Sequence, residues 1–262
     1  MKKRPVLRYF GGKYVLADWI ISHFPEHRVY VEPFGGAASV LMKKKRSYAE
    51  VYNDLDDSVY GLFYILRDKK LSKVLKTQIE KTPYSRREFD LAHTFHPDTL
   101  EQARRLIIRS FMGFGADSVN NLNSKTGFRH NSNRSGSTPA HDWINYPKSI
   151  PLFTERLSGV VLENKDAMAV MRDHDHEETL HYIDPPYHGD TRRLGRYKHE
   201  MTDKDHEELV SFVQTLKGHV VISGYECDLY NSLGWRKEVK ETFADGAKKR
   251  TEVLWIKEGG YF

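Results

Sequence analysis

Residues 179–183, Thr-Leu-His-Tyr-Ile, are β-branched, aromatic and apolar, and they run directly into Asp184-Pro185-Pro186-Tyr187. The first part of that pattern predicts a buried strand. Two prolines then end the ladder, because proline donates no N–H and fixes φ. The strand therefore stops at an acid, two rigid residues and an aromatic ring. In an open α/β sheet, ligands bind outside the C-terminal ends of the strands, which makes this turn the first candidate site. Asp184 and the Pro185 carbonyl can both accept from one NH2 group. Tyr187 offers a flat face for stacking, worth about 1–3 kcal/mol per base. Such a set suits an extruded nucleobase with an exocyclic amine. On these residues alone, a plain strand-ending turn is the alternative.

Other segments repeat the theme of a strand that ends in an acid. Arg28-Val-Tyr-Val-Glu32 predicts a strand that enters Pro33-Phe34-Gly35-Gly36-Ala-Ala-Ser39 and then helical Val40-Leu-Met42. Strand, glycine turn and helix is an arrangement that seats a cofactor. The spacing is not that of a dinucleotide fingerprint. An acid at the strand end argues against a phosphate and for hydroxyl or ammonium groups. Residues 48–54 predict a second strand, with Asp54 falling 22 residues after Glu32, near the separation at which an acid meets ribose hydroxyls. Asp54 or Asp56 can equally cap the next helix. Val160-Val-Leu-Glu163 predicts a third strand, and Asp166 after it is again an acid or a cap. His219–Ser223 predicts a further strand, and residues 237–243 and 251–256 a closing hairpin. Near the N-terminus, Tyr9-Phe-Gly11-Gly12-Lys13 is a glycine turn entering a helix over roughly 14–23, with Lys13 placed to meet a carboxylate.

From Ser58 to about Phe111 the apolar residues recur at helical spacing, and no sheet strand is evident before Val160. This predicts a helical insertion. Residues 113–141 are rich in Gly, Asn, Ser and Arg and predict a long loop, whose Arg and Asn side chains suit base edges. Residues 60–160 hold 16 Lys and Arg against 9 Asp and Glu, while the rest of the chain holds 25 against 27. The basic excess lies in the middle and favours a polyanion partner. Residues 188–198 are also basic, with interleaved glycine and tyrosine, and adjoin the turn at 184–187.

A single cysteine, Cys227, excludes an internal disulfide and a cysteine-based zinc site. The mixed run Asp173-His-Asp-His-Glu-Glu178 is expected to be a solvated loop rather than a metal site. No apolar run approaches the ~20 residues of a membrane span, and residues 1–8 lack the apolar stretch of a secretion signal. The expected compartment is the cytoplasm.

Assembled, these motifs resemble the Dam-like family of DNA N6-adenine methyltransferases over nearly the whole length. Tyr9-Phe-Gly-Gly-Lys13, Glu32-Pro-Phe-Gly-Gly-Ala, Asn53-Asp54, Asn164-Lys-Asp166-Ala, Asp184-Pro-Pro-Tyr187 and Thr251-Glu-Val-Leu are similar to that family's motifs and follow its order. The resemblance implies an α/β fold with a Rossmann-like, mostly parallel seven-stranded sheet and a C-terminal β-hairpin. The catalytic fold would comprise residues 1–57 and 158–262, with a helical target-recognition domain inserted at 58–157. It implies S-adenosylmethionine as cofactor, no metal, and adenine in double-stranded DNA as substrate, with an RNA or low-specificity DNA adenine enzyme as the alternative. Asp184, Pro185, Pro186 and Tyr187 would be catalytic. Tyr9, Gly11, Gly12, Lys13, Glu32, Pro33, Phe34, Gly35, Gly36, Asp54, Asp166 and Asp184 would bind the cofactor, with Lys13 on its carboxylate and Asp54 on its ribose. The middle departs from members that read GATC, so that specificity does not carry over. Arg109, Lys125, Arg129 and Arg134 are expected DNA contacts, with Arg192, Arg193, Arg196 and Tyr197 in the second basic loop. These residues leave the recognised bases and any restriction partner open.

Overall fold

The computed structural model describes residues 4–9, 11–114, 127–131, 133, 136–187, 199–244 and 248–259; for 242–244 and 248–250 the backbone alone is described. A seven-stranded sheet runs in the order β3-β2-β1-β4-β5-β7-β6. The strands are β1 (Val29–Glu32), β2 (Ala49–Asn53), β3 (Val161–Glu163), β4 (Thr179–Ile183), β5 (His219–Tyr225), β6 (Arg236–Ala244) and β7 (Lys248–Lys257). β1 to β5 are mutually parallel, and β7 lies antiparallel between β5 and β6. The expected mostly parallel sheet with a closing hairpin is present.

The order reverses between β1 and β4. Connections leave these two strands toward opposite edges, which opens a crevice beyond their carboxyl ends. β4 is buried along its whole length, as expected of a central parallel strand covered on both faces. Among the described residues no sheet strand lies between β2 and β3. That interval holds helices Asp57–Arg67, Lys69–Lys81, Arg86–Leu91, Thr99–Met112, Pro139–Asn145 and Ile150–Leu157.

One core cluster joins sheet and insertion, running from Tyr30 and Tyr52 to Leu62, Leu106, Ile107 and Leu157. A second packs helix Asp203–Thr215 against β4, β5 and β7 through Ile183, Leu209, Val213 and Trp255. Two expectations need correcting. The loop expected at 113–141 ends earlier, because Thr138 caps a helix that begins at Pro139, where a missing N–H costs nothing. The run 173–178 is a brace as well as a loop: Asp175 accepts from the N–H groups of Lys217 and Gly218 and lies 3.3 Å from His181 Nε2.

Candidate active site

A cavity of about 300 Å³ opens at the reversal point, bordered by the turns after β1, β2, β3 and β4 and by the Gly11–Lys13 turn. Asn53 holds three of these turns together. Its amide donates to the carbonyls of Pro33 and Lys165, and its oxygen accepts from Lys165 N. Gly35 has no room for a side chain, since a Cβ there would lie 2.1 Å from the Tyr52 ring. Gly36 has φ +48°, and a Cβ would come within 3.1 Å of the Tyr9 ring. The two glycines let this backbone lie flat against two aromatic rings and leave the cavity beside them open.

The acids around the cavity differ in state. Glu32 is buried and accepts from Tyr30 OH at 2.8 Å and from Leu41 N at 3.1 Å. Burial dominates those bonds and pushes its carboxyl up to about 8. Asp54 accepts from Gly36 N at 2.7 Å and Asp56 N at 2.8 Å, while Asp56 caps the next helix through Ser58 N. Of the two candidate caps, it is Asp56 that caps the helix. Asp166 caps helix Ala167–Asp173 through Ala169 N, with its residue at the cavity wall.

Asp184 sits at the carboxyl end of β4. Its Oδ1 receives Lys13 Nζ at 2.7 Å and Ser223 Oγ at 3.1 Å. Ser223 is in turn 2.9 Å from Tyr182 OH. Oδ2 has no hydrogen-bond partner among the described residues. Burial raises the Asp184 carboxyl above the ordinary value against the opposing pull of Lys13 and Ser223. Lys13 is 4 % exposed and also meets Tyr187 OH and Glu252, the latter at 3.2 Å. Burial disfavours its charge, but Asp184 and Glu252 outweigh burial and hold it well above the ordinary lysine value. The carboxylates that meet Lys13 in this structure are those of Asp184 and Glu252. Tyr187 is buried, and one face of its ring stacks on Tyr225 with centroids 4.4 Å apart, so the open face expected of it is shared.

A family model described as D12 class N6 adenine-specific DNA methyltransferase matches residues 9–256. The chain belongs to that family. A DNA adenine methylase of Vibrio cholerae serotype O1 is 27% identical over 130 residues, which are 48% of this chain and 47% of that protein. One from Escherichia coli strain K12 is 36% identical over 66 residues, 25% and 23% of the two chains. The chain thus spans about half the length, or less, of these curated relatives. A solved SAM-dependent methyltransferase from Agrobacterium tumefaciens covers 93% of this chain and 60% of its own, at 9% identity and a TM-score of 0.40. The fold assignment rests on the strand order itself.

For this D12-class chain, the structure brings Tyr9, Gly11, Gly12, Lys13, Glu32, Pro33, Phe34, Gly35, Gly36, Asp54, Asp166, Asp184 and Pro186 to one cavity wall. Pro185 and Tyr187 line a smaller hollow behind the turn. Arg109 is a correction. It is 1 % exposed and donates to the Ala92 carbonyl at 2.6 Å, inside the insertion rather than on its surface. Arg129 lies where Gly113 and Phe128 form an antiparallel bridge; its N–H donates to Met112 O and its carbonyl accepts from Tyr84 OH. Lys125, Arg134, Arg192, Arg193, Arg196 and Tyr197 lie outside the described residues. Sequence reasoning missed Ser223 and Glu252 as site residues. Ser223 sits in the apolar run of β5, where a polar residue has to find a buried partner, and that was the available signal; Glu252 follows Lys248-Lys-Arg-Thr251 and carries no such signal.

Proposed function

We propose that this chain transfers a methyl group from S-adenosylmethionine to the N6 amine of an adenine extruded from double-stranded DNA. The observation that carries the reading is the Asp184 carboxylate at the reversal point of a sheet whose chain matches a DNA methyltransferase family from residue 9 to 256. Bound in the cavity, S-adenosylmethionine supplies an electrophilic methyl group on a sulfonium. The residues suit it: the glycine cradle at 35–36 accepts close approach, and Glu32, Asp54 and Asp166 offer acceptors for ammonium and hydroxyl groups rather than donors for phosphate. Glu32 serves the amine, Asp54 the ribose and Asp166 the far wall. Lys13 organises the catalytic acid.

Adenine's amine is a weak nucleophile because its lone pair is delocalised into the ring. Ser223 and Lys13 fix Oδ1 of Asp184 and leave Oδ2 to accept from the amine, with the Pro185 carbonyl as second acceptor. The two bonds favour a pyramidal nitrogen whose lone pair points at the methyl. S-adenosylmethionine would supply the methyl group and leave as the thioether, and Asp184, whose raised carboxyl value suits a transient acceptor, would take the proton that the amine nitrogen gives up. Positioning and fixed dipoles carry the rate. Pro186 keeps the turn rigid, and Tyr187 supports the base with Tyr225 behind it.

Residues 58–157 form the DNA-reading part and 1–57 with 158–262 the transfer fold. Lys125, Arg129 and Arg134 contact DNA from the first, and Arg192, Arg193, Arg196 and Tyr197 from the basic segment that follows Tyr187 in the sequence. The basic balance of 60–160 supports this. No described helix is long and apolar enough to cross a membrane, and a DNA substrate agrees with a cytoplasmic location. The test is transfer of labelled methyl to unmethylated duplex DNA, followed by nucleoside analysis. N6-methyladenine is expected; label only in RNA, or in cytosine, overturns the substrate assignment.

A further inference from the structure

Tyr182 lies on β4 and Asp184 just beyond it, two positions on, so their side chains leave the same face. β4 pairs in parallel with β5, Tyr182 beside Val221 and Ile183 beside Ile222. The same register carried one step further sets Ser223 beside Asp184. Ser223 Oγ is 2.9 Å from Tyr182 OH and 3.1 Å from Asp184 Oδ1. Tyr182 and Ser223 are each 1 % exposed. The Tyr182 ring packs near Phe24 in the core, and its hydroxyl bonds only Ser223 among the described residues. A carboxylate can only accept, and a serine has one hydroxyl hydrogen. With Asp184 ionised, that hydrogen points at Oδ1, so the serine oxygen accepts from Tyr182. The chain of donors therefore runs one way, from Tyr182 through Ser223 to Asp184. Lys13 Nζ donates to the same oxygen at 2.7 Å.

We propose that Tyr182 is a positioning residue of the transfer site: through Ser223 it commits Oδ1 of Asp184 to accepting donors and so assigns Oδ2 to the target amine and its proton. The inference rests on the methyl-transfer reading for the identity of that amine. When the proton moves, an N–H bond breaks, its electron pair stays on nitrogen, and an O–H bond forms at Oδ2. The Tyr182 hydroxyl polarises that of Ser223 and strengthens its bond to the carboxylate, as chained hydrogen bonds do. Titratable groups surround Asp184 on several elements: Lys13 from the N-terminal turn, Glu32 from β1, Tyr182 from β4, and Tyr187 from its own turn. Behind them stand Glu252 of β7, against Lys13, and Tyr225 of β5, against Tyr187. Lys13 and Tyr182 are both held well above their ordinary values, whereas Glu32 is pushed up to about 8. A tyrosine that only fills the core would act through its ring, and its hydroxyl would leave the chemistry unchanged.

The test is a double-mutant cycle on the full chain, with Tyr182→Phe, Ser223→Ala and both together. Steady-state kinetics supply kcat and KM on duplex DNA across pH, at saturating S-adenosylmethionine so that titration of Glu32 does not enter kcat. NMR of carboxyl-labelled aspartate, assigned with Asp184→Asn, follows the Asp184 titration without DNA. Tyr182→Phe keeps the ring and is expected to lower kcat by about 3–10-fold, the range for one hydrogen bond, with KM for DNA nearly unchanged. Ser223→Ala is expected to lower it by ~10–100-fold, the range for a bond to a charged group. Loss of a donor to the charged form raises a carboxyl, so the acid limb of kcat and the Asp184 titration both move to higher pH in each single variant. In the Ser223→Ala background, adding Tyr182→Phe should change neither. Equal effects of Tyr182→Phe in the two backgrounds overturn the proposal. Should Ser223→Ala not fold, Tyr182→Phe decides alone, and a wild-type pH profile with a wild-type Asp184 titration overturns the proposal. If wild-type protein transfers no methyl to nucleic acid while Tyr182→Phe still shifts the Asp184 titration through Ser223, the proposed function falls and the role of Tyr182 stands. Wild-type transfer with no shift in Tyr182→Phe does the reverse.

Discussion

Glu32 shows how the burial of a single acid works against stability at neutral pH. Its carboxyl is raised from 4.5 to about 8 by burial. A raised acid stabilises the fold only while it stays protonated. Its contribution is complete below the unfolded value and is lost as pH rises through the folded one. Glu32→Gln should therefore melt higher than the native chain, by a margin that widens between about pH 5 and pH 8, and it should lose affinity for S-adenosylmethionine. Thermal unfolding across that range checks the first part and calorimetry the second. A constant margin would mean that Glu32 is charged throughout. At Asp184, also raised by burial, the expected effect is on the chemistry. With Oδ1 held by Lys13 and Ser223, Asp184→Ala should abolish methyl transfer while leaving duplex affinity in a gel-shift assay within about twofold. Transfer that survives this change would remove Asp184 from the chemistry.

At the scale of elements, the turns are held by contacts that leave little slack. In Gly35→Ala the new methyl group would meet the Tyr52 ring, which is itself buried and bonded through its hydroxyl to Gly36 O at 2.7 Å. Overpacking of this kind costs about 1–3 kcal/mol. A lower urea midpoint together with weaker cofactor binding is the expected result. The insertion is joined to the sheet by a buried charge cluster. Glu50 on β2 accepts from Lys44 Nζ at 2.8 Å and from both terminal nitrogens of Arg156 at 2.6 and 2.9 Å. Burial alone would raise the Glu50 carboxyl, but Arg156 and Lys44 hold it below the usual range. Glu50→Gln should destabilise by about 3–5 kcal/mol, because two buried cations lose their partner; urea unfolding measures it. The central strands β1, β4 and β5 were legible in the sequence because their β-branched, aromatic and apolar residues cluster in short runs. The helix at 139–145 was hidden inside a polar stretch, although Thr138-Pro139 is a cap followed by a proline suited to a first turn.

Across the whole molecule, the insertion and the sheet share one core, from Tyr30 and Tyr52 to Leu106 and Leu157. Residues 58–157 expressed alone should therefore show no cooperative thermal transition, since the sheet covers part of their apolar surface. The positive charge of this part should appear as salt dependence. Removing a phosphate contact at Lys125 or Arg129 should weaken DNA binding on all sequences and reduce the salt slope by about one. An altered site preference with an unchanged slope would instead mark that residue as a reader of bases.

The sequence by itself determined the order of strands and turns, the acids at strand ends, the Asp-Pro-Pro-Tyr turn and the basic middle. Each is a property of a few neighbouring residues and follows from periodicity, proline chemistry and charge counts. Only the tertiary structure decided where charges go. Lys13 meets Asp184 across 171 residues of chain and Glu252 from the closing hairpin, and Arg109 turns inward to a carbonyl. A side chain's partner depends on which surfaces the fold brings within a few ångströms, and burial decides whether the charge is kept. Local pattern carries neither quantity.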